Sequence, residues 1–395
     1  MKIGRHYLIS LGVILFALFS AVISYWKFSR CAPGGWASPD VYQRDCYTDI
    51  TSLYHSRHFA IDAWPYGAGT HSLEYPVLTG LGIWLISLIT PNGPIGLHKF
   101  FVFNTAVIAF FHIVIAFILA KFDRRSAIIY ALSPAVIYGL FINWDTWGIA
   151  AMVASLYAFQ QNKLRLSGVA LAIGISLKFF PVLLVIPFIL HLRKEKREVS
   201  EFLATTTISL LVINLPFMLS HFDGWAKFFI FNYKRGVDFG SIWYLVSLKG
   251  SWISNLNEIA TPLVALLIAI ACYRYRNNYR TALFLSSFIF FTLNKVYSPQ
   301  YVLWLTPLAL LCIPKTRTFF MLFAVWQGSE LLYQHGIWRH ILALLNQSGG
   351  ISTDSYIEIS TVRIIALLAL SGYALYQAEL LKDNFIESSR SKSNS

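Results

Sequence analysis

Val77–Thr90 reads VLTGLGIWLISLIT, an apolar run of about 14 residues where a helix needs roughly 20 to cross a bilayer. Tyr75-Pro76 precedes it and Pro91-Asn92-Gly93-Pro94 follows, so turns fence both ends. Whether this run crosses decides the side on which every later segment falls. If it crosses, Lys121, Arg124 and Arg125 land on the outer face, against the tendency of basic residues to stay cytoplasmic. It is therefore read as a re-entrant or interfacial helix within one long outer loop, residues 27–98, and the next crossing is Lys99–Ala120.

The rest of the chain supports a membrane reading. Of its 395 residues, 56% are hydrophobic and only 13% charged, too few charges to cover a soluble protein of this size. The net charge of +13 lies mostly in short loops between apolar runs, which points to topology and not to a nucleic-acid partner. Tyr7–Trp26 follows Lys2 and Arg5 with no small-residue cleavage site, and reads as a retained signal-anchor helix that starts in the cytoplasm. Further crossings fall near 127–142, 146–160, 166–178, 181–191, 202–219, 258–273, 281–294, 301–312, 318–334 and 361–379. The expected fold is thus an all-α polytopic membrane protein with about twelve spans, several short enough to need thinned bilayer or broken helices. Both termini fall inside, and more than half of the 32 Lys and Arg are cytoplasmic. Residues 1–219 make an N-terminal module, 220–257 a second long outer loop, 258–380 the C-terminal transmembrane helices, and 381–395 a disordered Ser- and Lys-bearing tail. Cys31 and Cys46 share the first outer loop, either as a disulfide or as two free thiols.

Polar residues collect on the expected outer face: Asp49, Glu74, Asn143, Asp145, Lys178, Asp223, Lys234, Arg235, Asn294, Lys295, Gln300 and His335, many at helix ends. Ionisable groups at membrane depth point to function by default. Asp49, in CYTDITSLY, is either the cap of a surface helix or a catalytic carboxylate; Thr48 is able to cap in its place. Glu74 precedes the Tyr75-Pro76 turn, as a helix-start carboxylate or a substrate ligand. Asp145, in NWDTW, reads as a turn or cap residue. Lys178 and Lys295 each follow a helix end and precede a proline that opens the next helix, an arrangement suited to snorkelling or to phosphate binding. No Walker loop, GxGxxG, HExxH or clustered His/Cys metal pattern is present.

CYTDITSLYHSR, WPYG with LEYPVLTG, ALSPAVIYGLFINWD, SLKFFPVLLVIPF and NKVYSPQYVLWLTPL together resemble, in order, the blocks of the family 87 membrane glycosyltransferases. These belong to the GT-C superfamily and include actinobacterial polyprenol-phosphate-mannose-dependent α-mannosyltransferases and related arabinofuranosyltransferases. The resemblance runs from about residue 46 to 310. It implies a GT-C fold with juxtamembrane helices in a large first outer loop. It also implies an inverting transfer, on the outer face of the cytoplasmic membrane, from a polyprenyl-phosphate sugar donor. Asp49 falls on the catalytic aspartate of the family's Y-[ST]-D-I block. Mannose is the expected sugar and arabinofuranose the alternative, with a glycolipid or glycan as acceptor.

The expected substrate-binding residues are Glu74, Tyr75, Asp145 and Lys178, with Lys295, Tyr297, Gln300 and His335 from the C-terminal half. One carboxylate base plus cations suffices, because a phosphate ester leaves as a stabilised anion and needs no acid. No cofactor or metal is required, although a carboxylate pair such as Asp49 and Glu74 is able to bind one. A transporter of lipid-linked sugars is the alternative from another class; it predicts paired inverted repeats, and none is visible in the sequence.

Overall fold

The computed structural model describes residues 2–67, 69, 71–250 and 256–393, with side chains outside 1–10, 257 and 381–395. Among the described residues every regular element is a helix. The first outer loop follows α1 (Lys2–Ser29) and carries α2 (Asp40–Gln43), α3 (Asp49–Ser56) and α4 (Val77–Leu88). A disulfide joins Cys31 to Cys46, resolving the open choice and tying the end of α1 to the strand of chain that leads into α3. Next come α5 (Gly96–Phe122), α6 (Arg124–Leu132), α7 (Pro134–Gly139), α8 (Asp145–Gln160) and α9 (Leu164–Leu177). A 3-10 turn, Phe180–Leu184, leads into α10 (Val185–Leu192), followed by α11 (Lys196–Ser220), α12 (Phe222–Lys234) and α13 (Ile242–Ser247). The chain ends with α14 (Leu256–Arg274), α15 (Tyr279–Leu293), α16 (Val302–Cys312), α17 (Arg317–Leu344) and α18 (Thr353–Ser393).

The deciding segment is a short helix: α4 has 12 residues, with Pro76 at its start. One face of it is buried, while Leu85 and Leu88 are exposed. Thr79 donates its hydroxyl to the Leu177 carbonyl at the end of α9. Gly80 leaves room for the Tyr66 hydroxyl, which donates to the Pro76 carbonyl at 2.8 Å and the Val77 carbonyl at 3.0 Å. A Cβ at either Gly80 or Gly82 would collide with a ring, Tyr66 or Trp147. These contacts hold the Tyr75-Pro76 turn beside Lys178.

Among the described residues, four stretches are long and apolar enough to cross a membrane: Leu11–Gly34, Gly96–Phe122, Lys196–Ser220 and Thr353–Leu380. The third shows what faces lipid. Val212 and Leu219 of α11 are 69% and 80% exposed, which an aqueous surface would not favour in a row. The remaining predicted spans are helices too, with three differences. Residues 127–142 break into α6 and α7 at Ser133-Pro134, because the residue before proline is driven out of the helical region. The run expected to end at 334 continues to Leu344, since Ile337, Trp338 and Leu342 keep a buried apolar stripe going. The second outer loop carries α12 and α13, while its residues 251–255 lie outside the described set. The tail from 381, read as disordered, lies where side chains are not described.

A buried ion pair fastens the C-terminal helices together. Arg363 of α18 and Glu330 of α17 have no accessible side-chain surface, and Nε meets Oε2 at 2.8 Å. The guanidinium is sandwiched between the rings of Tyr297 (3.4 Å) and Tyr333 (3.9 Å) and donates to the carbonyls of Tyr297 and Ser298 at 2.8 and 3.2 Å. Gly240 packs directly under this cluster, and a side chain there would strike Tyr333, the Tyr297 carbonyl and Arg363. Removing one member of such a pair strands a buried charge. Arg363→Leu is therefore expected to cost about 3–5 kcal/mol in detergent unfolding, and Arg363→Leu with Glu330→Leu to recover most of that loss. Equal melting of wild type and the single variant would show the pair to be dispensable.

Candidate active site

Asp49 opens α3 but does not cap it. Thr48 is extended (φ −147°, ψ 135°), and its hydroxyl accepts from the Ile50 amide at 3.2 Å. The same hydroxyl donates to the Phe141 carbonyl at 2.6 Å, and the Asp49 amide donates to the Ile142 carbonyl at 2.8 Å. The start of α3 is thus stitched to the turn between α7 and α8. Freed from capping, the half-buried Asp49 carboxylate accepts from the Tyr47 hydroxyl at 2.9 Å and from Tyr75 and the Asn143 amide at 3.4 Å each. Burial pushes the Asp49 carboxyl above its ordinary value of 3.8; the bond from Tyr47, the Lys178 ammonium and the bond from Asn143 offset part of that rise. The Asp49 charge, with burial, in turn keeps the Tyr47 hydroxyl protonated and donating.

A second carboxylate stands nearby. Asp145 is the first residue of α8 and 2% exposed. Its amide donates to the Asn143 side-chain oxygen at 3.0 Å, so one Asn braces both aspartates. Oδ1 of Asp145 accepts from Trp304 at 3.0 Å and lies 3.4 Å from Lys178 Nζ. Oδ2 is buried without a hydrogen-bond partner among the described residues. Lys178 also sits 4.3 Å over the Tyr75 ring, a cation–π contact that aims the ammonium between the two halves of the site. Gly148, one turn into α8, makes this approach feasible: a Cβ there would stand 2.8 Å from Trp304 and 3.0 Å from the Lys178 stem. Asp145 thus starts α8, as a cap or turn residue would, and also pairs with Lys178.

Asp49, Tyr75, Asp145 and Lys178 are brought together; the other expected residues are placed differently. Glu74 is engaged in a two-pronged pair with Arg57, at 2.8 Å and 2.6 Å. Tyr297 is 1% exposed, its hydroxyl donated to Glu330 at 2.6 Å and its ring stacked on Arg363, so it packs in the core. Lys295 is nearly buried, and its ammonium donates to the Tyr233 carbonyl at 2.8 Å. Beside it is Arg235, paired with Asp238 and within electrostatic reach of Tyr75 and Tyr301, which carries the positive charge back toward Lys178. Gln300 is buried, its side-chain oxygen without a hydrogen-bond partner among the described residues. His335 lies inside α17 and not in a loop, and Nδ1 is 2.8 Å from Asp45, not Asp49.

Tyr47 and Trp304 were not singled out from sequence, whereas Asn143 and Arg235 stood on the expected outer face without an assigned role. Tyr47 stands two residues from Asp49, and that spacing was its only available signal. Among the described residues no three His, Cys, Asp or Glu side chains converge as metal ligands. The Lys178 ammonium supplies positive charge that both carboxylates face.

A base of this kind works ionised, so its rate falls as pH drops through the raised pKa. The acid limb of kcat/KM should lie above the ordinary carboxylate value of 3.8. Tyr47→Phe removes the bond that most lowers that pKa and should move the limb to higher pH still. A limb that stays in place in Tyr47→Phe would mean that Tyr47 does not hold the ionised base.

Comparison with known proteins places this geometry. Residues 143–362, more than half of the chain, match the mannosyltransferase (PIG-M) family. That stretch includes Asp145, Lys178, Lys295 and His335, while Asp49 lies before it. GPI mannosyltransferase 1 of Saccharomyces cerevisiae is 27% identical over 298 residues, covering 65% of this chain and 70% of the yeast protein. GPI mannosyltransferase 1 of Dictyostelium discoideum is 25% identical over 251 residues, covering 50% of this chain and 55% of that protein. These matches agree with a membrane mannosyltransferase and favour mannose over arabinofuranose; they name PIG-M, not family 87 of actinobacterial type. The chain belongs to the PIG-M family of mannosyltransferases, a family of membrane-embedded hexosyltransferases.

Proposed function

We propose that the chain is an inverting GT-C enzyme, with about twelve membrane crossings, that moves mannose from a polyprenyl phosphate to a glycolipid acceptor of the glycosylphosphatidylinositol kind. Dolichyl phosphate, the carrier used by GPI mannosyltransferases, belongs to the same chemical class as the bacterial polyprenyl phosphates implied by the sequence blocks. The site faces the extracytoplasmic side, and both termini face the cytoplasm. Residues 1–219, with the loop at 27–98, supply the base; 220–257 brings Arg235 over the site; 258–380 complete the membrane domain.

One observation carries this reading. Asp49, a carboxyl raised by burial, faces the Lys178 ammonium, which pairs with a second carboxylate, Asp145. In the proposed step an acceptor hydroxyl attacks the anomeric carbon and its proton passes to Asp49. The bond from that carbon to the phosphate oxygen breaks, and both electrons leave with the phosphate. Lys178 and Arg235, with Lys295 behind them, stabilise the departing charge. The unpartnered Oδ2 of Asp145 is suited to accept from a hydroxyl of the transferred sugar.

Membranes given radiolabelled mannosyl polyprenyl phosphate and total lipid extract should yield a more polar labelled lipid. Asp49→Asn should express normally and lower turnover by roughly 10²–10⁴, the range for loss of a general base. Transfer by Asp49→Asn at the wild-type rate would remove Asp49 from the chemistry.

A further inference from the structure

The helix that carries the base also carries a second anchor. α3 begins at Asp49, and Arg57 follows its last residue as the C-cap. With an α-helical rise the two ends stand about 12 Å apart. From the far end Arg57 reaches Glu74 with both prongs of its guanidinium, Nε to Oε2 at 2.8 Å and Nη2 to Oε1 at 2.6 Å. The two side chains are only 23% and 15% exposed. A two-bond pair of this kind fixes direction as well as distance. Glu74 is followed by Tyr75, whose hydroxyl donates back to Asp49 Oδ2 at 3.4 Å. The contacts therefore close a ring that runs from Asp49 along α3 to Arg57, Glu74, Tyr75 and Asp49 again.

Tyr75 needs such a hold. It lies in residues 71–76, which form no helix, and Pro76 beside it has no amide hydrogen to donate. Its ring supports the Lys178 ammonium at 4.3 Å and meets Trp144 edge-on at 5.7 Å. Lys227 of α12 donates to the Ser72 carbonyl, and Tyr66 to the Pro76 and Val77 carbonyls. These bonds hold the chain before and after Tyr75, whereas Arg57 ties its immediate neighbour to the helix that bears the base. Facing Asp49 are the Lys178 ammonium, the Asp145 carboxylate and the hydroxyls of Tyr42, Tyr47 and Tyr75. Arg57 and Glu74 neutralise each other and reach Asp49 through Tyr75.

We propose that Arg57 and Glu74 are positioning residues: their two-bond pair sets Tyr75 against Asp49 and, through the Tyr75 ring, sets Lys178 between the two aspartates. This rests on the transferase reading above and gives a task to two charges that it leaves unused. An exposed ion pair contributes little to stability, so the worth of this one lies in its geometry. A reacting group displaced by about 1 Å loses roughly 10² in rate. The Tyr75 hydrogen bond goes to the ionised carboxylate and so favours that form.

In Arg57→Met, kcat should fall by roughly 10² with KM nearly unchanged, and Glu74→Gln should behave alike. The acid limb of kcat/KM should move to higher pH, because Asp49 loses a donor that favours its ionised form. Arg57→Met made in Tyr75→Phe should cost clearly less than in wild type, since the hydroxyl through which Arg57 acts is already gone. Losses that simply multiply, or a limb that stays in place, would overturn the proposal. Hydrogen exchange of the full-length protein in detergent reads the clamp without turnover. Peptides covering residues 73–80 should exchange faster in Arg57→Met, while those of α17 stay as in wild type. That local change supports the clamp even if wild type transfers no mannose and the transferase reading fails. Unchanged exchange at 73–80, or faster exchange throughout the protein, would contradict it.

Discussion

The Asp49 amide donating to the Ile142 carbonyl, with the Thr48 hydroxyl donating to Phe141, is the constraint on which the site depends. Two backbone-level bonds join a loop helix to a turn some ninety residues later in the chain. Because Thr48 serves both as the cap of α3 and as a donor across the gap, Asp49 has no structural duty left. Asn143 then lies close enough to reach one aspartate with its amide and the other with its oxygen. Without this stitch, the two carboxylates would belong to separate surfaces.

The electrostatics follow from that arrangement. Burial, and to a smaller extent the Asp145 charge, push Asp49 toward its neutral form. Lys178 relieves this by pairing with Asp145 while acting on Asp49 at longer range. The result is asymmetric: Asp145 is committed to Lys178 and Trp304, whereas Asp49 is held only by neutral donors that a substrate hydroxyl can join. Neutral donors hold the Asp49 carboxylate in position. The glycine at 148 and the short, proline-fenced α4 serve the same geometry, one by admitting Lys178 and Trp304, the other by holding Tyr75 beneath the ammonium.

Much of this was legible in the sequence, and the reasons are specific. The 14-residue run at Val77–Thr90 read as a short helix fenced by turns, and α4 is a 12-residue helix with one buried face. Asp49 stood out because a carboxylate between tyrosines is rare in so apolar a chain. Asp145 and Lys178 stood out as charges at helix ends. What sequence could not show was pairing at long range. Nothing in LEYPVLTG reveals that Glu74 is already engaged by Arg57, seventeen residues earlier. Nothing in NKVYSPQYVLW reveals that Tyr297 is consumed by Arg363, sixty-six residues later. His335 falls inside α17 and not at its end because the helix end was set by a fading apolar signal, while buried contacts carry α17 ten residues further.

The account's central claim is a single displacement with one carboxylate base and no covalent intermediate. It is tested most directly by the stereochemistry of transfer, read by NMR from the anomeric one-bond carbon–hydrogen coupling of the mannosylated product. From a β-mannosyl polyprenyl phosphate donor the account predicts an α-mannoside formed without detectable β product. A β-mannoside would require two displacements through an enzyme-bound sugar, and the assignment of Asp49 as a simple base would be contradicted.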